Sequence, residues 1–254
     1  MEPYGDQTGH EHVAQFYGSN DDWLVRSVAR FLTDGIRRGD QALIIADRSR
    51  GPRIERALRL CAGVDEGGAL PLTVLDAQQT LDSLSDRGLP DDARFHDTVS
   101  STVRRLAAAS GGAGVSAYGE MAGSLWKANA YPATIRLERL WNELFEREPL
   151  RLFCSYPIDV LNAEFDADIL DPVLCAHDGL VSADRSRVLE AALSRALDDV
   201  LGPVRLHFDA TKRPVPEFST ALPPVEETIL RLRRIAPDCA DEVLALTKRY
   251  CTSA

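Results

Sequence analysis

What this chain has little of bounds it first. Its 254 residues include five cysteines, three tryptophans and two methionines, and Cys61, Cys154, Cys175, Cys239 and Cys251 form no Cys-x-x-Cys pair. An odd, scattered set argues against a disulfide framework and against a zinc cage of paired cysteines, so neither metal nor cofactor is expected. Basic excess is also missing: 29 Lys and Arg stand against 39 Asp and Glu, a net charge of −10. Phosphate neutralisation needs a basic face, so nucleic acid is not expected as a direct partner. No apolar run approaches the roughly 18 residues of a membrane span. The opening MEPYGDQTGHEH has neither the basic nor the apolar region of a signal peptide. A cytoplasmic chain with reduced thiols is expected, away from any membrane. At 44% apolar and 27% charged residues the chain is globular in composition, long enough to bury roughly 70–75% of the surface its unfolded form exposes.

What is present alternates strand-like runs with segments of helical period, the pattern of an α/β protein. Val13–Tyr17 reads as a first strand, and Gly18-Ser19-Asn20-Asp21 as a turn into a helix with Leu24, Val25, Val28, Phe31 and Leu32 on one face. QALIIA, Gln41–Ala46, is the continuous apolar run of a strand buried on both faces. A helix over Arg53–Cys61 with Ile54, Ala57, Leu58 and Cys61 inward, a strand at Leu72–Leu75 and a helix over Asp91–Ala109 come next. Strands at Val115–Tyr118 and Leu150–Tyr156 then flank a helix over Thr134–Glu146. A short helical stretch spans Asp168–His177. Beyond about Asp184 the character changes to a charged helix over Arg185–Val200, a strand candidate at Val204–Phe208, a Pro214–Pro224 connector and two short helices. The expected architecture is a RecA-like or Rossmannoid, mostly parallel sheet with flanking helices over residues 10–183. A mainly helical appendage follows over 184–254.

In such sheets ligands bind at the carboxyl ends of the strands, and several familiar chemistries are missing there. YGSNDDW after the first strand has no phosphate-cradling loop, and Gly114–Gly119 has the glycine spacing but is followed by Glu120 and Met121 in place of Lys and Ser or Thr. ATP is therefore not expected to bind. No Gly-x-Ser-x-Gly elbow or His-Glu-x-x-His is present. His10-Glu11-His12 would need further ligands to hold a metal and reads better as a polar terminus. Cys154 and Cys175 read as buried, inert thiols, and His177 as a satisfied core histidine.

The groups that remain are polar or amphipathic side chains at strand ends and apolar margins. They are His12 and Tyr17 around the first strand, Glu120 after the fourth, Tyr156 ending the fifth, and Glu138 with Trp141 on the preceding helix. Glu138 lies at the edge of an apolar stripe and needs a partner if buried. Each has an ordinary structural alternative: Glu120 as a turn cap, His12 as a strand-edge histidine, Trp141 as core, and Glu138 as half of a structural ion pair.

As a set, His12-Val-Ala-Gln-Phe-Tyr17, Phe31-Leu-x-x-Gly35-x-x-x-Gly39 leading into QALIIA, Tyr118-Gly-Glu-Met121, Leu137-Glu-Arg-Leu-Trp-Asn142 and Leu152-Phe-Cys-Ser-Tyr-Pro157 resemble the MEDS domain, a sensory domain of methanogens and methylotrophs. The resemblance runs over roughly residues 10–182. It implies a RecA-like core without a working nucleotide loop, sensing a small molecule such as a hydrocarbon derivative; a sensor without an enzymatic step is the leading reading. His12, Tyr17, Glu120, Glu138, Trp141 and Tyr156 are the ligand-binding candidates. Family members often carry a DNA-binding or kinase module. Here nine residues precede His10 and the appendage has no kinase nucleotide motif, so an output protein in trans is expected. Two rivals stay open, a degenerate interaction or oligomerisation module and an enzyme with Glu120 or His12 as general base. The appendage either supplies the output or homodimer contact or folds back on its own sheet.

Overall fold

The computed structural model describes residues 11–18, 21–65, 67–182, 186–210 and 222–252. Ser19 and Asn20 of the expected turn, Arg185 and the 214–221 part of the proline connector lie outside them. The chain divides into two compact units, one of residues through Gln15 with Leu24–Pro157, the other of Phe16–Trp23 with Ile158 onward.

The first unit runs β1 (Glu11–Phe16), α1 (Asp22–Arg38), β2 (Gln41–Ala46), α2 (Arg50–Ala62), β3 (Leu72–Asp76) and α3 (Ala77–Leu84). A tiny hairpin, β4 (Ser85–Asp86) with β5 (Leu89–Pro90), leads to α4 (Asp92–Phe95), a π-helical turn over His96–Ser100, and α5 (Ser101–Ala109). Then come β6 (Val115–Gly119), α6 (Met121–Lys127), α7 (Tyr131–Phe145) and β7 (Leu150–Tyr156). The strands lie in the order β3-β2-β6-β7-β1. The β3–β2, β2–β6 and β6–β7 pairs are all parallel. As the QALIIA run requires, Ala42–Ala46 are buried throughout. Register aligns Leu75, Ile45, Gly119 and Cys154 across four strands, so their carboxyl ends form one rim.

Helix α1 lies close on the sheet because residue 35 is glycine: a Cβ there would stand 2.1 Å from Ser116 Oγ. Gly63, at φ +69°, ends α2 in the left-handed conformation, its N–H donating to the carbonyls of Arg59 and Leu60. The expected helix over Asp91–Ala109 is interrupted by the π turn, a departure that 3/4 spacing cannot register. Phe95, Val99, Val103 and Leu106 nonetheless all face inward. Cys61, expected inward, is exposed because the apolar stripe of α2 ends at Leu58.

The second unit holds α8 (Ala167–Leu174), a two-residue strand β8 (Gly179–Leu180), α9 (Ser186–Leu201), a 3-10 turn (Gly202–Val204), α10 (Arg205–Ala210), α11 (Pro224–Ile235) and α12 (Pro237–Thr252). The strand expected at Val204–Phe208 is helical. Pro203 removes a ladder donor and seeds the 3-10 turn, and Arg205 pairs with Asp209 one helical turn on, at 3.3 Å. Helix α9 packs on α12, burying Leu193, Ala196 and Leu197 on one and Val243 and Leu244 on the other. Cys175, expected buried, is exposed after α8. No described helix is long and apolar enough to cross a membrane.

Candidate functional site

Connections leave β2 and β6 in opposite directions: β2 leads through α2 outward to β3, and β6 leads through α6 and α7 to β7. The carboxyl ends of these two neighbours therefore form the topological switch point of the sheet, and Glu120 stands there. Its backbone N–H donates to Ile45 O at 3.1 Å, tying the end of β6 to β2. Its side chain is buried. Oε1 accepts from the backbone N–H of Asp47, and Oε2 accepts from Arg50 Nη1 at 2.6 Å and from the Tyr118 hydroxyl at 3.2 Å. Tyr118 also meets Ser155 Oγ at 2.9 Å. Burial raises the Glu120 pKa above its ordinary value, opposed by Arg50 and by the Asp47 N–H and reinforced by the Asp47 charge.

Asp47 shapes the start of α2, its Oδ1 accepting from Ser49 N at 2.7 Å, Ser49 Oγ at 2.6 Å and Arg50 N at 2.9 Å. Burial pushes its carboxyl up, but these hydrogen bonds outweigh it and hold the pKa at about 2. Asp76, at the end of β3, caps α3 through Gln79 N at 2.8 Å and pairs with Arg48 Nε at 3.0 Å. Both readings of Glu120 meet here, since it is a rim carboxylate that also anchors a turn. Asp47 and Arg50 were missed by the sequence reading. An Asp-x-Ser-Arg step directly after a buried strand was the available signal.

A second cluster lies between the sheet and α7. His12 is the second residue of β1, not at its carboxyl end, and it faces one stripe of α7: Asn142 Oδ1 accepts from its Nδ1–H at 2.9 Å, Glu138 Oε2 is 3.3 Å from Nε2, and the Phe145 ring lies at 4.9 Å. Cys154 Sγ stands 3.5 Å from His12 Nε2. The Tyr156 hydroxyl donates to Glu138 Oε1. Burial pushes the Cys154 thiol and the Tyr156 phenol well above their usual ranges, and the Glu138 carboxylate adds to both shifts. His12, Glu138 and Cys154 offer ligand atoms that all lie within 4.8 Å of one another. No short-range motif announces them, because β1, α7 and β7 each supply one.

The six candidates thus sort into groups. His12, Glu138 and Tyr156 come together. Glu120 belongs to the switch-point group. Trp141 is core, packed edge-on against Phe95 at 5.3 Å. Tyr17 is half-buried and belongs to the second unit. His177, also in that unit, is buried with Nδ1 at 2.7 Å from Val173 O. A cleft of about 510 Å³ opens beside the π turn, lined by Phe95, His96, Ser100 and Arg104 on one side and Leu140 and Leu144 of α7 on the other. π turns recur at functional sites, and this one was not foreseen.

Comparison with known proteins adds one match. A family model described as "MEDS: MEthanogen/methylotroph, DcmR Sensory domain" fits residues 11–178. Neither the curated proteins nor the solved structures compared with the chain yield a match.

Proposed function

We propose, from the premise that this chain belongs to the MEDS family of sensory domains, that it is a non-enzymatic sensor of a small, largely apolar molecule. The ligand is received at the carboxyl ends of the central strands, and its arrival is reported to an output protein in trans. The observation that carries this reading is the Glu120–Arg50 contact at the switch point. One buried carboxylate there ties the end of β6 to the first turn of α2, so a ligand that competes for Arg50 or for the Asp47 N–H would shift α2 relative to β6. A ligand biases such an element only through its different affinity for the two arrangements.

Both Glu120 oxygens already accept hydrogen bonds. Neither oxygen is poised to take a proton from a substrate, which favours sensing over general-base catalysis by Glu120. The relay is assigned to the helices of the second unit, where Val204 and Leu206 leave apolar side chains 60% and 79% exposed.

A thermal-shift and calorimetric panel of one- to four-carbon halogenated and oxygenated hydrocarbons, on the full chain, tests the reading. The expected result is at least one ligand whose binding weakens tenfold or more in Arg50→Ala and is unchanged by Leu144→Trp, which fills the cleft beside the π turn. Binding lost in Leu144→Trp and kept in Arg50→Ala would move the site to that cleft. Failure of every compound in the panel to bind would overturn the ligand class.

A further inference from the structure

We propose that His12, Glu138 and Cys154 form a binding site for a divalent transition metal of the zinc class, a role beyond the sensing just described. The three residues are 3%, 2% and 1% exposed, so their polar atoms meet inside the core. Asn142 fixes the ring: with Nδ1–H given to its Oδ1 at 2.9 Å, Nε2 is turned toward Glu138 and Cys154. A carboxylate oxygen, an imidazole nitrogen and a sulfur then face one another in an apolar interior. A divalent cation held among them would join all three donors.

The spacing matches such a cation. Tetrahedral zinc bonds of about 2.0–2.1 Å to nitrogen and oxygen and about 2.3 Å to sulfur put N and O about 3.3 Å apart and N and S about 3.5 Å apart. The observed separations are 3.3 Å and 3.5 Å. The outer contacts also fit a metal centre. Asn142 holds the ring orientation, and Tyr156 donates to Glu138 Oε1; second-shell partners of this kind orient ligands and raise their affinity. Mixed N, O and S donors suit zinc-class ions, whereas calcium and magnesium take oxygen. On binding, Cys154 gives its proton to solvent, and the thiolate and the Glu138 carboxylate together neutralise the two charges of the ion. No electron is transferred.

The test is a Co²⁺ titration of the chelator-treated full chain, followed by displacement with Zn²⁺. One Co²⁺ per chain is expected, with thiolate-to-cobalt charge-transfer absorption and the visible bands of a tetrahedral site. Cys154→Ala should abolish the charge-transfer band, whereas Cys61→Ser and Cys175→Ser should keep it. Asn142→Ala leaves all three ligands in place and should weaken affinity 10- to 100-fold; it decides the matter even if the cysteine variant fails to fold. Lack of stoichiometric Co²⁺ uptake, a band that survives Cys154→Ala, or an affinity untouched by Asn142→Ala would each overturn the proposal. So would nitrogen NMR showing His12 doubly protonated at neutral pH with saturating Zn²⁺, because the shared cation would then be a proton.

Discussion

Arg50 Nη1 sits 2.6 Å from Glu120 Oε2, across the carboxyl ends of two neighbouring parallel strands. Glu120 is buried and Arg50 nearly so, with 12% of its side chain exposed. Removing one partner of such a pair leaves the other charge uncompensated.

Arg50→Ala is therefore expected to cost about 3 kcal/mol of stability at pH 8. The Glu120 pKa is already raised by burial and is held down by Arg50; without the arginine it rises further. A group whose folded pKa is raised loses stability as pH climbs through that value. The cost should therefore shrink at pH 5, where the carboxyl can take up a proton. Urea denaturation of both proteins at the two pH values measures it, and a cost independent of pH would refute the argument.

Gly123 faces the main chain of β7, and a Cβ there would stand 2.0 Å from Ser155 O. Neither backbone can yield cheaply. Gly123→Ala should destabilise by more than about 2 kcal/mol or abolish soluble expression. Gly67, with nothing within 4 Å of an added Cβ, should accept alanine within about 0.5 kcal/mol. Melting curves of the two variants compare them directly.

Glu226, in the first turn of α11, has its pKa raised by burial from 4.5 to about 7. The sign follows from linkage: its contribution is most favourable below the unfolded value and is lost as pH rises through about 7. Glu226→Gln cannot ionise, so it should be more stable than the parent at pH 8.5 by up to about 3 kcal/mol, and close to it at pH 5. Equal gains at both pH values would show that the carboxyl is not the titrating group.

Thiol modification should follow burial. Cys61 and Cys175 are exposed and are expected to react with a disulfide reagent within minutes. Cys154, buried with its pKa pushed well up, should react only after denaturation, since the thiolate is the nucleophile. Mass mapping of the modified sites distinguishes them.

Much of the fold was legible because it depends on local pattern. The apolar run at Gln41–Ala46 requires a strand buried on both faces, and the 3/4 stripes of α1 and α7 require helices with one buried side. The family resemblance likewise needed only motifs in order. Local pattern does not count hydrogen-bond partners, so the π turn at His96–Ser100 was hidden inside a helical stripe. Where Pro203 breaks the ladder, a β-like composition at Val204–Phe208 became helix.

The sequence by itself determined which side chains had to be polar in apolar surroundings: Glu120 after a buried strand, and Glu138 on an apolar helix margin. Only the tertiary structure decided what each would meet. Strand order brings Asp47 and Arg50 to Glu120, and the packing of α7 on the sheet brings His12, Cys154 and Tyr156 to Glu138. Burial dictates that a charged group must find partners, but long-range packing chooses them, because residues far apart in the chain become neighbours only when the sheet forms.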